Sequence, residues 1–146
     1  MKNFNMYEKV WNEKNGFHRV KSNGKYGFVD HNGQEICEFK YDFAYDFEDG
    51  LAIVQKDGKE GFINSKGQEV IELKYTIVDH FYNDLARVGL NNKEGYINRE
   101  GKEICEIKFD SAYKFDGKYG KVELDDHILY VDINGRLYDE SFQLVE

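Results

Sequence analysis

Short apolar runs separated by polar residues and glycines repeat along this chain with a period of 34 residues. The first complete copy has apolar runs at 26–30, 34–39 and 50–54, and the first two are joined by a polar turn. A fixed period of this size is typical of proteins built from stacked structural repeats. The runs are short and bounded by turn residues, so they predict three antiparallel strands in each copy. A glycine marks the first turn of every copy, at Gly33, Gly67, Gly101 and Gly135.

The turn residues favour β-hairpins. Asn32 precedes Gly33, and Asp57 precedes Gly58. Asn-Gly and Asp-Gly are the preferred pairs of two-residue hairpin turns, which need positive φ. Residues 40–47 place aromatic or apolar side chains three apart, a spacing that predicts a single helical turn or a tight loop on the core. Repeats made of two helices are excluded because glycines leave only residues 34–49 uninterrupted in each period.

The period sets the repeat boundaries within one domain, residues 1–146. Full repeats are predicted at 24–57, 58–91 and 92–125, with partial repeats at 1–23 and 126–146. The fold class is therefore all-β, with about four three-stranded antiparallel repeats stacked as an open twisted array. The alternative is a small closed ring like a propeller, since the two terminal pieces are complementary.

The repeated phrases carry a resemblance to a known family. The first copy contains Gly24-Lys25-Tyr26-Gly27-Phe28-Val29-Asp30, followed by a glycine turn, Lys40-Tyr41-Asp42 and Gly50-Leu51-Ala52-Ile53-Val54. This pattern resembles the bacterial WG repeat, also called the KWG repeat, over residues 16–138. The resemblance implies an all-β array that is not tied to any one activity. The tryptophan that names the repeat is replaced by Tyr26, Glu60 and Glu94 in successive copies.

Charge and the N-terminal sequence narrow the choice of partners. The chain has 20 basic and 28 acidic residues and a net charge of −8, which disfavours direct contact with nucleic acid phosphates. Residues 1–8 lack the apolar centre of a signal peptide, and no apolar run has membrane-spanning length. We therefore expect a cytoplasmic protein that does not contact membranes.

The candidate chemical groups favour structural roles. Cys37 and Cys105 occupy the same position of the repeat, where the intervening copy has Ile71, so we expect buried, reduced thiols. Glu60 and Glu94 are also aligned by the period, and we expect them in a row on an exposed edge. The sequence has no phosphate-binding loop or nucleophile elbow. We predict no catalytic residues, no cofactor, no metal site and no enzyme activity. The four histidines, at four different positions of the repeat, are His18, His31, His80 and His127.

Aromatic residues that do not recur in every copy are the best surface candidates, because tyrosine and tryptophan are favoured at protein interfaces. Trp11 is among them. Recurrent aromatics are predicted core, namely Phe28, Phe62, Tyr96, Tyr130, Phe47, Phe81 and Phe115. The predicted partner-binding set is Tyr26, Tyr45, Asp46, Glu48, Asp49, Glu60, Tyr82, Glu94 and Tyr113.

These residues predict a non-catalytic module that presents an aromatic and acidic surface to another protein. The expected partners include basic and nucleic-acid-binding proteins, because the surface is acidic. The alternative is an acidic inhibitor or nucleic-acid mimic, for example a phage protein acting against a host defence, which blocks a nucleic-acid-binding protein.

Overall fold

The computed structural model describes residues 6–146, so the first five residues of the predicted N-terminal partial repeat lie outside the described part. The described residues contain no helix, and the all-β prediction is confirmed. The strands are β1 Lys9–Val10, β2 Phe17–Ser22, β3 Lys25–Asp30, β4 Phe43–Ala44, β5 Leu51–Lys56, β6 Lys59–Asn64, β7 Glu69–Tyr75, β8 Ile77–Val78, β9 Leu85–Leu90, β10 Lys93–Asn98, β11 Ser111–Ala112, β12 Tyr119–Leu124, β13 His127–Asp132 and β14 Leu137–Tyr138.

The strands form four antiparallel sheets of three or four strands, and none of these sheets closes into a barrel. Their strand orders are β1-β2-β3, β4-β5-β6-β7, β8-β9-β10 and β11-β12-β13-β14. Each sheet contains one hairpin whose two strands have six residues each. In the second sheet this hairpin pairs Leu51 with Asn64 and Lys56 with Lys59. Its turn residues, Asp57 and Gly58, both have positive φ. The choice between an open array and a closed ring stays a prediction.

The glycine turn of each copy is stabilised by an aspartate or asparagine side chain three residues before the glycine. Asp30 Oδ1 accepts hydrogen bonds from the backbone N–H groups of Asn32 and Gln34, at 2.9 and 3.0 Å. Gly33 itself has a φ of 84°, which costs a glycine little. An aspartate or asparagine is suited to this task because its short side chain reaches the backbone two residues on. In the later copies, the side-chain oxygens of Asn64, Asn98 and Asp132 accept the same two hydrogen bonds from the backbone.

In the aromatic segment at 40–47, Phe43 and Ala44 form the two-residue strand β4, and no residue is helical, so the predicted helical turn was wrong. The other residues of the segment lie outside the strands. Ala44 of β4 pairs with Val54, and the N–H of Asp42 donates to the carbonyl of Gln55. The apolar spacing did identify buried positions, since Tyr41, Ala44 and Phe47 are all buried. The backbone takes an extended path because the edge of β5 satisfies its hydrogen bonds better than a single isolated turn can.

The chain divides into two compact units, Met1–Lys74 and Tyr75–Glu146, called unit 1 and unit 2 below. Unit 2 begins at Tyr75, which lies 68 residues, or two periods, after Tyr7. A residue of unit 1 therefore corresponds to the residue 68 positions later in unit 2. Each unit has its own core. The buried cluster of unit 1 is Phe28, Tyr41, Ala44, Phe47, Ala52, Val54 and Ile63. The buried cluster of unit 2 is Leu85, Tyr96, Phe109, Ala112, Phe115, Val122, Val131 and Leu137.

The aromatics predicted as core are buried or half-buried in the structure. Five of them are buried, whereas Phe81 and Tyr130 are half-buried. The buried members are Phe28, Phe47, Phe62, Tyr96 and Phe115.

A tyrosine–glutamate hydrogen bond recurs with the period. The Tyr41 hydroxyl donates to Glu69 Oε2 at 2.7 Å. The same bond joins Tyr7 to Glu35 and Tyr75 to Glu103, at 2.7 and 2.9 Å. In the fourth copy both members are apolar, since Phe109 and Leu137 stand at the corresponding positions of one buried cluster. The pair therefore changes as a unit within the chain, as expected for two groups that satisfy each other.

The two cysteines are free thiols and half-buried. Burial raises the pKa of Cys37 and raises that of Cys105 to about 11. Both thiols are therefore protonated and weakly nucleophilic near neutral pH. Their neighbourhood is also tight, because a Cβ added to Gly67 would lie 1.9 Å from the Ile36 carbonyl oxygen, and one added to Gly135 would lie 1.9 Å from that of Ile104.

Candidate protein-binding surface

Four aromatic side chains of unit 1, Trp11, Tyr26, Phe43 and Tyr45, form a continuous series here called the aromatic row. The ring centroids of Trp11 and Tyr26 are 5.6 Å apart, and those of Tyr26 and Phe43 are 5.1 Å apart. Phe43 and Tyr45 meet edge to face at 4.9 Å. Tyr45 is 41% exposed, and the other three rings are half-buried. These distances are typical of favourable aromatic pairs.

Strand alternation places the row on one face of the first sheet. Lys21 of β2 pairs with Tyr26 of β3, and the N–H of Trp11 donates to the carbonyl of Arg19. Side chains two residues apart on a strand point to the same face. Arg19 and Lys21 therefore share the face that carries Trp11 and Tyr26. Phe43 is added to the row by β4 of the next sheet.

Cationic side chains lie over the rings at the Trp11 end of the row. The guanidinium of Arg19 is 4.4 Å from the Trp11 ring centroid and 5.6 Å from that of Phe43. The ammonium of Lys9 is 4.6 Å from the Trp11 ring. All three distances are within the range of cation–π attraction. Arg19 Nη1 also donates to the carbonyl of Ala44 at 2.9 Å, which fixes the guanidinium beside Phe43.

Acidic side chains lie near the other end, after Tyr45. Asp46 is half-buried, and Glu48 is exposed with its carboxylate 3.7 Å from the Lys14 ammonium. Asp49 is exposed and has a φ of 51° in the turn before β5. The structure thus brings together the five predicted residues of unit 1 other than Glu60, but its aromatic part is flanked by cations at one end and carboxylates at the other.

Unit 2 has the same framework without the aromatic row. Arg87 Nη1 donates to the carbonyl of Ala112 at 3.1 Å, as Arg19 does to Ala44. Asp79, Glu94 and Ser111 stand where unit 1 has Trp11, Tyr26 and Phe43. Arg87 Nη2 is 3.2 Å from Asp79 Oδ2, and Glu94 Oε1 accepts a hydrogen bond from the Ala112 N–H at 2.6 Å. The repeat therefore folds with polar side chains at these positions, and its architecture does not require the rings.

A cavity of about 280 Å³ in unit 2 lies at the corresponding place. Ile77, Gly89 and Glu94 are among its lining residues. They correspond to Lys9, Lys21 and Tyr26 of unit 1, where longer side chains fill the face of the sheet. Local side-chain identity, rather than the path of the backbone, thus determines what this face presents.

Two predicted site residues are less exposed than the sequence indicated. Glu60 is buried, at 6% exposure, and Gln55 Nε2 is 3.5 Å from its carboxylate. Glu94 is half-buried and accepts the Ala112 backbone N–H. The prediction of a solvated row of glutamates was therefore wrong. The repeat places these side chains on the face of the sheet that carries Tyr26 in the first copy, and there they bond to protein groups.

Tyr82 and Tyr113 belong to unit 2, and both are exposed as predicted. The Lys114 ammonium is 4.9 Å from the Tyr82 ring, and that of Lys121 is 5.0 Å from the Tyr113 ring. The Tyr113 hydroxyl donates to Glu123, and this hydrogen bond raises the pKa of Tyr113. Tyr113 corresponds to Tyr45, but its neighbour at the Phe43 position is Ser111.

Sequence reasoning missed Phe43, Arg19 and Lys9. A signal for Phe43 and Arg19 was present, because comparison at an offset of 68 residues pairs Phe43 with Ser111 and Arg19 with Arg87. The first pair shows that the repeat folds with serine in place of the Phe43 ring. The second shows an arginine present in both units, next to Trp11 in unit 1 and next to Asp79 in unit 2.

No group of three or more His, Cys, Asp or Glu side chains in residues 6–146 is arranged to hold a metal ion. No helix there has the length and apolar character needed to cross a membrane.

Comparison with known proteins identifies the repeat. No curated protein matches the chain. Among solved structures, it is similar to the extracellular domain of a hybrid two-component system from B. thetaiotaomicron, with 12% identity and a TM-score of 0.43. That match covers 97% of this chain and 22% of the other. The family model described as "WG containing repeat" matches residues 26–59, 61–93 and 95–126, more than half of the chain. WG repeats are a repeat scaffold and not a known enzyme family. The chain belongs to the WG repeat family.

Proposed function

We propose that the chain is a non-catalytic protein-binding module and that the aromatic row of unit 1 is its main binding surface. The observation that supports this is the internal comparison between the two units. Unit 2 shows that the framework accommodates aspartate, glutamate and serine in place of three of the four rings, so folding alone gives no reason for the row. Clustered, partly exposed aromatic rings are typical of the residues that dominate binding energy at protein interfaces.

The non-catalytic part of the proposal is supported by membership in a family of repeat scaffolds. The proposal includes the cytoplasmic location expected from the sequence. It also keeps the acidic residues after Tyr45, namely Asp46, Glu48 and Asp49, at the rim of the surface. Charged rim residues contribute mainly to the rate and orientation of association.

The test uses substitutions that the chain itself contains. The double variant Trp11→Asp, Phe43→Ser gives unit 1 the side chains found in unit 2, where Asp79 pairs with Arg87. We expect it to fold and to lose binding by at least tenfold, because interface aromatics at the centre of a surface contribute about 2 kcal/mol or more. The measurement is affinity capture from the source cells with wild-type and variant baits, followed by calorimetry with the purified partner.

The matched control is Val70→Ser, which removes another exposed apolar side chain from unit 1 outside the row. This variant should bind as the wild type does. A partner that binds the double variant as tightly as the wild type would refute the proposal. If that partner is a nucleic-acid-binding protein released by moderate salt, the acidic-mimic alternative replaces it, since binding by charge alone depends strongly on ionic strength.

A further inference from the structure

The charge of Arg19 is not paired within the described residues, although the corresponding arginine of unit 2 is. Arg87 has Asp79 at 3.2 Å. Trp11 stands at the Asp79 position in unit 1, and its ring lies 4.4 Å from the guanidinium of Arg19. Among residues 6–146 no carboxylate lies within ion-pair distance of Arg19, and its buried Nε has no hydrogen-bond partner. Unit 1 has thus exchanged an internal carboxylate for a ring while keeping the cation.

Lys9 adds a second unpaired cation at the same place. Its ammonium lies 4.6 Å from the Trp11 ring, and among the described residues it too has no carboxylate within ion-pair distance. Of the neighbouring carboxylates, Glu8 is 3.5 Å from the Lys21 ammonium, and Glu13 is 3.8 Å from His18 Nε2. Two positive charges without an ion-pair partner among the described residues therefore lie over one indole, in a chain with a net charge of −8.

We propose that the Trp11 end of the aromatic row recognises an acidic peptide segment of a partner protein. A carboxylate of that segment pairs with Arg19, as Asp79 pairs with Arg87, and an adjacent apolar or aromatic side chain packs on the row. Arg19 is suited to this role because its planar guanidinium forms directional hydrogen bonds with carboxylates. Its bond to the Ala44 carbonyl holds it in place, so little conformational entropy is lost on binding.

Charge complementarity favours a peptide over a nucleic acid as the occupant. A single strand of nucleic acid is bound by grooves that carry many cations along the backbone. Among the described residues, two cations without an ion-pair partner meet here, and the chain as a whole carries a net charge of −8, so the attraction for a polyphosphate would not continue beyond this contact. A short segment with one or two carboxylates beside an apolar residue matches the number of charges available.

This inference rests on the proposed function and is tested separately from it. Random twelve-residue peptides displayed on phage are selected on the full chain. We expect the enriched sequences to contain Asp or Glu next to an aromatic or aliphatic residue. In the corresponding synthetic peptide, replacing Asp or Glu by Asn or Gln should weaken binding about tenfold, the contribution of a charge-assisted hydrogen bond.

Three variants assign the effect to Arg19. Arg19→Gln should weaken the peptide about tenfold, whereas Arg87→Gln, the matched change in unit 2, should leave the affinity unchanged. Trp11→Asp keeps Arg19 and its bond to Ala44 but supplies an internal carboxylate, so it should abolish binding even if Arg19→Gln folds poorly. The inference is overturned if selection yields no enrichment over the Trp11→Asp variant, if the amide peptide binds equally well, or if a twenty-residue oligothymidylate binds more tightly than the peptide. Any of these results, together with loss of the captured partner by the Trp11→Asp, Phe43→Ser variant, refutes the acidic-segment assignment but leaves the proposed function standing.

Discussion

The bond between Tyr41 and Glu69 allows a quantitative prediction, because the chain also contains the apolar version of the same pair. Tyr41 is 1% exposed, so its hydroxyl is buried, and its hydrogen bond is to Glu69. The side chain of Glu69 is 38% exposed and has a second partner, since Lys40 lies 3.3 Å from the same oxygen. The two ends of this bond are therefore in different environments, and deleting each end should have a different cost.

Glu69→Leu leaves the buried Tyr41 hydroxyl without its acceptor, which costs about 1–3 kcal/mol of unfolding free energy. Tyr41→Phe removes that hydroxyl and leaves Glu69 in contact with Lys40 and solvent, so we expect a smaller loss of about 1 kcal/mol. The double variant reproduces the Phe109–Leu137 pair of the fourth copy. It should be about 1 kcal/mol more stable than the sum of the single changes predicts.

Urea unfolding provides the measurement. It can be followed by far-UV circular dichroism and by the fluorescence of Trp11, the only tryptophan. Glu69→Gln is the control, because it keeps an acceptor oxygen while removing the charge that interacts with Lys40. It should cost less than Glu69→Leu. Equal losses for Tyr41→Phe and Glu69→Leu, or strict additivity in the double variant, would refute the reasoning.

Two further predictions concern pH and the glycine turns. Hydrogen bonds from Lys25 and from the Asp57 N–H lower the pKa of Asp42, and Lys93 and the Asp125 N–H do the same for Asp110. A lowered pKa means that the unfolded chain takes up the proton first as pH falls. The contribution of these two carboxylates to the unfolding free energy should therefore be fully present above about pH 5 and should decline below about pH 4, and Asp42→Asn should flatten this decline in a pH series of urea titrations. Gly58→Ala and Gly67→Ala both place alanine at positive φ, but only the second puts a Cβ 1.9 Å from a backbone oxygen. Gly58→Ala should cost about 1–2 kcal/mol and Gly67→Ala about 1–3 kcal/mol more, so equal midpoints in thermal unfolding would contradict the close approach of the Ile36 carbonyl to Gly67.

The candidate surface shows which predicted residues the structure brings together and which contacts the sequence could not indicate. Tyr26 and Tyr45 could be selected because they depart from the repeat, and the structure joins them through Phe43. Phe43 itself falls in a segment whose spacing predicted a turn, so its position next to Tyr26 could not be inferred. Glu60 was assigned to an exposed edge because the period aligns it with Glu94, but its burial depends on which face of β6 is covered by other elements.

The sequence by itself determined the repeat, the all-β class and the location of the turns. These follow from local chemistry: a glycine where φ must be positive, an aspartate or asparagine whose side chain caps the turn, and alternation that suits a strand. Only the tertiary structure decided that Phe43 and Ala44 form a strand, that Glu60 is buried, and that Arg19 lies against a ring where Arg87 meets a carboxylate. Each of these depends on a partner supplied by a distant part of the chain. A backbone hydrogen bond, a buried face or a cation–π contact is defined only when both partners are in place.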